Sequence, residues 1–148
     1  MIDIPFDVKI PLCIQRGSVF NFYIEFEDSE RQSKNRFFVV VNRKPKNDVI
    51  LIMLTPTTKI ENLKAFAVKS KISLKTIVEV KKGEHGIFTK NSAFNCNEVF
   101  SVKIDDLVKK IKESGTMNYP KIPENIIKSL IIGVKKSPRV LSETKDLL

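Results

Sequence analysis

Histidine, cysteine and tryptophan, which build many functional sites, are scarce in this sequence of 148 residues: it has one His, two Cys and no Trp. Cys13 and Cys96 form no CxxC pair and have no Cys/His spacing, which argues against a zinc site and against a disulfide framework. His85 lies in a glycine-flanked turn and has no cysteine or serine partner in a known motif. Phosphate-binding and hydrolase motifs such as GxGxxG and GxSxG are also missing. We therefore expect no metal and no cofactor.

Long hydrophobic runs are lacking as well. No apolar run approaches the roughly 20 residues that a transmembrane helix needs. The first residues, MIDIPFDVKIPLC, carry two aspartates and two prolines in place of a basic start and an apolar stretch, unlike a signal peptide. We expect a protein of the cytoplasm that does not enter a membrane. With 42% apolar residues, the chain can bury an ordinary core as a single domain over residues 1–148.

Positive charge is abundant and unevenly placed. The net charge is +9; residues 1–30 hold six acids and two bases, whereas residues 31–90 hold fourteen bases and four acids. Such a concentrated positive segment attracts polyanions and speeds their encounter. The charge pattern therefore predicts contact with nucleic acid.

Strands are predicted over about residues 16–102. They lie at residues 18–26, 36–42, 49–54, 65–69 and 76–80, with one or two more at 92–95 and 99–102. The second and third are apolar at nearly every position, which is typical of strands buried on both faces. About six short strands with closely spaced turns favour a small closed or half-closed barrel. The first twelve residues are predicted to be extended, because Pro5 and Pro11 disfavour a helix.

Helices are predicted in the last third of the chain. Ile104, Leu107, Val108 and Ile111 recur at helical spacing within a predicted helix at 104–114. A second helix is predicted at 123–136, and the tail at 138–148 is expected to be a short helical turn or an arm. Strands followed by helices indicate the α+β class.

Two polar residues stand at the ends of neighbouring predicted strands. Arg36 begins the second strand, and Thr55 ends the third and is followed by Pro56, Thr57, Thr58 and Lys59. A guanidinium can grip two phosphate oxygens, and hydroxyls beside it can donate or accept hydrogen bonds. The pair would suit a phosphodiester; the alternative interpretation is a solubilising arginine and a turn-forming threonine.

Several segments resemble the MazF/PemK family of endoribonuclease toxins, in order, over about residues 16–137. The matching segments are RGSVFNFYI (16–24), NRFFVVVN (35–42), VILIMLTP (49–56), TIVEV (76–80), KNSAFNCNEVFSVKIDDL (90–107) and the helix at 123–137. The resemblance implies a small SH3-like β-barrel of the MazF/PemK/CcdB type with C-terminal helices. It also implies a homodimer and a cognate antitoxin protein as partner.

The same resemblance implies the activity of a toxin of a toxin–antitoxin module, a metal-independent endoribonuclease that cleaves single-stranded RNA. The family's catalytic arginine falls on Arg36, and its catalytic threonine or serine falls on Thr55. We assign RNA contacts to Arg31, Lys34, Thr57, Thr58, Lys59 and Glu98.

The chain departs from the family pattern in four places, the first of which is the loop EDSERQSKN, where the family normally has a G-S-E-Q-like run. Phe37 replaces the proline that follows the arginine, and residues 95–100 lack the family's acid/base set, for which Glu98 is a possible substitute. Residues 63–75 form an insertion without a clear counterpart. Two other functions therefore stay open: a non-catalytic barrel that binds RNA or protein, and a CcdB-like toxin that acts on a protein target.

Overall fold

Two antiparallel sheets form the centre of the computed structural model, which describes residues 4–24 and 34–148. The strands are β1 (Val19–Ile24), β2 (Lys34–Val40), β3 (Ile50–Leu54), β4 (Pro56–Thr57), β5 (Ile77–Val80), β6 (Ser92–Asn95) and β7 (Phe100–Lys103). The helices are α1 (Phe6–Cys13), α2 (Ile60–Lys69), α3 (Ile104–Ser114), α4 (Glu124–Lys136) and α5 (Ser142–Lys145), with a 3-10 turn at Leu74–Thr76.

The chain passes twice between the two sheets. The first has the order β1-β2-β3-β7 and the second β4-β6-β5, and the chain passes between them from β3 into β4 and from β6 into β7. The sheets curl into a half-barrel followed by C-terminal helices, so the α+β prediction is confirmed. The helix predicted at 104–114 is α3, the one predicted at 123–136 is α4 to within a residue, and the tail contains the short α5.

The central strands are buried on both faces, as their apolar sequences predict. Val39 of β2 packs into one core cluster with α4, whereas Phe38 and Val40 pack into a second cluster with α1 and α3. Alternate residues of β3 divide in the same way. Side chains of a strand point alternately to opposite faces, so a strand that is apolar throughout separates two cores.

The prediction of an extended N-terminus is wrong, because α1 spans Phe6–Cys13. Pro5 precedes the helix, where its missing N–H costs nothing, and its carbonyl accepts hydrogen bonds from Val8 and Lys9 at 3.0 and 2.8 Å. Pro11 lies near the end of the helix and removes one internal bond. Burial of Ile10 against α3 offsets that loss.

The strand predicted at residues 65–69 is also wrong, because these residues belong to α2. The five residues 65–69 are too few to show the spacing of a helix. Counted from Ile60, the apolar residues Leu63 and Ala67 follow at i+3 and i+7, which is one face of a helix. That face packs in a third cluster with Ile77 and Ala93 of the second sheet.

Five predicted strands differ in their bounds by one or two residues, and the two-residue β4 was not predicted. β1 begins at Val19 instead of residue 18, β2 is Lys34–Val40 instead of 36–42, and β3 begins at Ile50 instead of residue 49. The strand predicted at 99–102 is Phe100–Lys103, and the one predicted at 76–80 begins at Ile77 because Thr76 belongs to the 3-10 turn. The end of the strand predicted at 18–26 lies outside the described residues beyond Ile24. Across residues 4–24 and 34–148, none of the helices has the length and apolar character needed to cross a membrane.

Candidate nucleic-acid interface

A cleft of about 500 Å³ opens where the first sheet separates from the second. One wall is the beginning of β2, the second is the stretch from β4 to the start of α2, and the third leads into β6. The lining residues are Lys34, Asn35, Arg36, Phe37, Pro56, Thr57, Thr58, Lys59, Ile87, Thr89, Lys90 and Ser92. The cleft therefore brings together segments that are distant in sequence.

Its lining is cationic. Lys34, Arg36, Lys59 and Lys90 contribute four positive charges, and no carboxylate lies among the described lining residues. The three lysines are exposed, whereas Arg36 is half-buried and its Nε atom is inaccessible to solvent. A guanidinium that is partly withdrawn from water interacts more strongly with a phosphate than one in bulk solvent.

The first wall is fixed by strand pairing. Arg36 lies opposite Phe22 of β1, and the Asn35 side chain donates a hydrogen bond from Nδ2 to the carbonyl of Ser114 at 3.1 Å. The ring of Phe37 meets the ring of Tyr119 edge-on, with 5.3 Å between centroids. These contacts hold the backbone from which the arginine projects.

The second wall is a tight connection between a strand and a helix. Thr57 pairs with Ala93 of β6, and its Oγ1 accepts a hydrogen bond from the backbone N–H of Lys59 at 3.2 Å. Lys59 is the N-cap residue of α2, so the positive end of the helix dipole lies next to the cleft.

The third wall follows a closed loop between β5 and β6. Gly83 adopts a positive φ of 88°, and its N–H donates to the carbonyl of Phe88 at 3.1 Å. His85 is buried in this loop, where its Nε2 lies 2.8 Å from the carbonyl of Pro120 and its Nδ1 accepts from the N–H of Ile87 at 3.2 Å. The only histidine of the sequence thus stabilises the loop that carries Thr89 and Lys90 to the cleft.

Five of the predicted site residues meet in the cleft. They are Arg36, Lys34, Thr57, Thr58 and Lys59. The agreement follows from the strand ends: β2 begins and β3 passes into β4 at the same edge of the first sheet.

Thr55 takes a different position. It is half-buried and does not line the cleft, and its Oγ1 donates a hydrogen bond to the carbonyl of Phe37 at 2.8 Å. The Thr55 hydroxyl is therefore bonded to the backbone of β2, at the residue that follows Arg36.

Glu98 is not brought to the cleft. It lies in the turn between β6 and β7, where its N–H donates to the carbonyl of Asn95 at 3.1 Å, at the end of β6 that is remote from Ser92. Arg31 lies outside the described residues.

The sequence analysis missed two groups of lining residues. Thr89, Lys90 and Ser92 come from the third wall, and Asn35 and Phe37 flank the arginine. The basic run around residues 81–90 was a signal of charge, but nothing local in it indicates that β6 pairs with β4.

No protein-family model matches the chain, and no curated protein matches it either.

Proposed function

We propose that the protein binds single-stranded RNA in this cleft and cleaves it as the toxin of a toxin–antitoxin module. The observation that carries the proposal is the four-cation lining, which includes the half-buried Arg36. Phosphate groups are the ligands that arginine and lysine together recognise best, the first through a planar fork and the second through a point charge.

Single-stranded rather than duplex RNA fits the apolar part of the lining. Phe37, Pro56 and Ile87 give an unpaired base a surface to contact beside the cations. Bases can reach such a surface only when they are unstacked and unpaired, as in single strands and loops.

The proposed reaction is an internal transesterification. The 2′-oxygen bonds to the adjacent phosphorus, the bond to the 5′-oxygen breaks, and a 2′,3′-cyclic phosphate and a 5′-hydroxyl result. Arg36 stabilises the negative charge that develops on the phosphorane, which is the largest contribution a fixed cation makes to such a step. Water takes the proton of the 2′-hydroxyl and supplies one to the leaving 5′-oxygen, so the charge and proton balance is kept.

The second candidate is a barrel that binds RNA without cleaving it. It is favoured by the positions of two residues expected to take part in chemistry: the Thr55 hydroxyl is bonded to the backbone, and Glu98 lies at the other end of β6. In this case the cations of the cleft bind phosphates and no residue acts on the bond.

Incubation of the purified protein with mixed-sequence single-stranded RNA in EDTA separates these candidates. The endoribonuclease proposal requires fragments with 2′,3′-cyclic phosphate ends that are lost in Arg36→Ala and retained in Arg43→Ala, an exposed arginine that does not line the cleft. Binding without fragments supports the second candidate. Growth arrest on expression, together with an absence of RNA binding at low salt, would point to a protein target instead.

The SH3-like type of the barrel, the homodimer and the antitoxin belong to the same proposal. The exposed Val8 and Leu12 of α1, together with the exposed Ile4 just before the helix, are compatible with burial against another chain. A monomer in sedimentation at tens of micromolar protein would contradict the homodimer.

A further inference from the structure

The hydroxyl of Thr55 lies where the first sheet ends and the second begins. β2 and β3 pair at Val39 with Leu54 and at Val40 with Met53. If this antiparallel register continued toward the cleft, residue 56 would lie opposite residue 37. Residue 56 is a proline, which has no N–H to donate, and it pairs instead with Phe94 of the second sheet.

The carbonyl of Phe37 therefore cannot receive a ladder bond from residue 56. The side chain of Thr55 donates to it instead, with 2.8 Å between Oγ1 and the carbonyl oxygen. Since both residues are half-buried, an unsatisfied carbonyl here would be costly. The side-chain bond thus extends the attachment of β2 to β3 beyond the last paired residues.

Arg36 directly precedes this attachment point. On one side, its strand is held by β1 through the Phe22 pair; on the other side, the next residue is held by Thr55. The arginine backbone is consequently fixed from both sides, although β3 has already left the first sheet.

We propose that Thr55 is a positioning residue, which holds Arg36 at the cleft through the carbonyl of Phe37 and does not contact the RNA itself. This inference rests on the proposed function for its consequence, since Arg36 is the group that would bind phosphate. Small displacements of such a cation have large effects on rate.

Two substitutions test the inference in RNA-free protein. Thr55→Val keeps the shape and removes the hydroxyl, whereas Thr55→Ser keeps a hydroxyl. We expect the carbonyl carbon resonance of Phe37 to shift in Thr55→Val and to stay near its wild-type position in Thr55→Ser. We also expect proton exchange of the buried Nε–H of Arg36 to become at least about tenfold faster in Thr55→Val.

The RNA assays give the matching functional result. Thr55→Val should weaken RNA binding and slow cleavage by roughly tenfold, and Thr55→Ser should restore both to within about twofold of wild type. A group that contacted RNA would also give the cleavage loss, but it would leave the Phe37 resonance and the Arg36 exchange rate unchanged in the absence of RNA. That combination would overturn the inference, as would a Thr55→Ser variant that fails to restore the RNA-free signals.

Failure of the proposed function is distinguishable from failure of this inference. If wild-type protein neither binds nor cleaves RNA, the proposed function is wrong, while the two resonance measurements still decide whether Thr55 holds Arg36. If Thr55→Val does not fold, Thr55→Ala and Thr55→Ser are compared by the same RNA-free measurements, and equal signals in the two variants would contradict the inference.

Discussion

The two ends of β6 differ in how their polar groups are used. At the Asn95 end, the buried Asn97 donates to the hydroxyl of Thr76 at 2.8 Å and accepts from the hydroxyl of Ser137 at 2.7 Å. At the Ser92 end, the exposed Lys34, Lys59 and Lys90 surround the open volume of the cleft, while the Thr57 and Ser92 hydroxyls bond to neighbouring backbone groups. Polar groups that bond to each other stabilise a fold, whereas cations gathered around an open volume are available to a ligand.

The largest expected effect is a loss of RNA cleavage on substitution at the Ser92 end of β6, the open end, which borders the cleft. Arg36→Ala should reduce RNA cleavage by a factor of a hundred or more, about 3 kcal/mol, because the cation that we propose stabilises the phosphorane is lost. The free energy of unfolding should fall by only about 1 kcal/mol, since Arg36 is only half-buried. Cleavage rates and denaturant midpoints measured on the same preparations check both statements.

Arg36→Lys sharpens this test. Lysine keeps the charge but cannot form the two parallel bonds of a guanidinium, so it should restore cleavage only in part. Full cleavage in Arg36→Ala would show that Arg36 is not the catalytic group, and full cleavage in Arg36→Lys would show that a positive charge suffices without the two parallel bonds.

The second prediction concerns the Asn95 end of β6, the closed end. A substitution there should lower stability and leave RNA binding unchanged. Asn97→Ala removes the partner of Thr76 and of Ser137, both of which are fully buried, so the free energy of unfolding should fall by about 2 kcal/mol or more. RNA affinity of the folded variant should match wild type, because Asn97 does not line the cleft. Chemical denaturation and RNA titration below the unfolding transition measure the two quantities; a loss of affinity without a loss of stability would mean that the two ends are not separate.

The fold was largely predictable because its signals are local. The continuous apolar strands β2 and β3 and the spacing of Ile104, Leu107 and Ile111 in α3 each indicate one type of element. Two helices, α1 and α2, were not predicted. α1 tolerates its prolines, and the five residues 65–69 of α2 are too few to show helical spacing. In both places, tertiary packing decided between patterns that a short segment cannot distinguish.

The cleft was predictable only in part. Arg36 lies near the described beginning of β2, and residues 57–59 lead from β4 into α2, so both are brought to the cleft where β3 passes into β4. Lys90 and Thr89 depend on the pairing of β6 with β4, a long-range contact that no local pattern reports. The hydrogen bond from Thr55 to Phe37 is explained by Pro56, which has no N–H to donate to that carbonyl. This explanation requires the pairing of β2 with β3, which the sequence does not report.

The third prediction concerns the number of charges at the open end. If the four cations of the cleft each neutralise a phosphate, the logarithm of RNA affinity should fall against the logarithm of salt concentration with a slope of about −3. Lys90→Gln should make the slope shallower by about 0.7, whereas Lys128→Gln, an exposed lysine of α4 outside the cleft, should leave it unchanged. Fluorescence anisotropy of a labelled oligonucleotide at several salt concentrations gives the slopes, and equal changes in both variants would indicate diffuse attraction rather than binding in the cleft.

The smallest expected effect is a loss of stability at alkaline pH, caused by the Cys96 thiol at the closed end of β6. Burial raises the pKa of the Cys96 thiol from an ordinary 9.0 to about 12. The thiol is neutral in the folded protein over that range and ionised in the unfolded chain. Its contribution to stability is therefore complete below pH 9 and is lost as the pH rises from about 9 to about 12.

Comparison with a variant isolates this contribution from other groups that titrate in alkali. The difference in unfolding free energy between wild type and Cys96→Ala should be constant below pH 8 and should shrink by about 1 kcal/mol by pH 10. Cys13 is exposed, whereas Cys96 is buried. In agreement with this contrast, a thiol reagent at neutral pH should modify Cys13 rapidly and Cys96 only after unfolding. Rapid modification of Cys96 in the native protein would mean that water reaches the closed end of β6, and the distinction between the two ends would then fail.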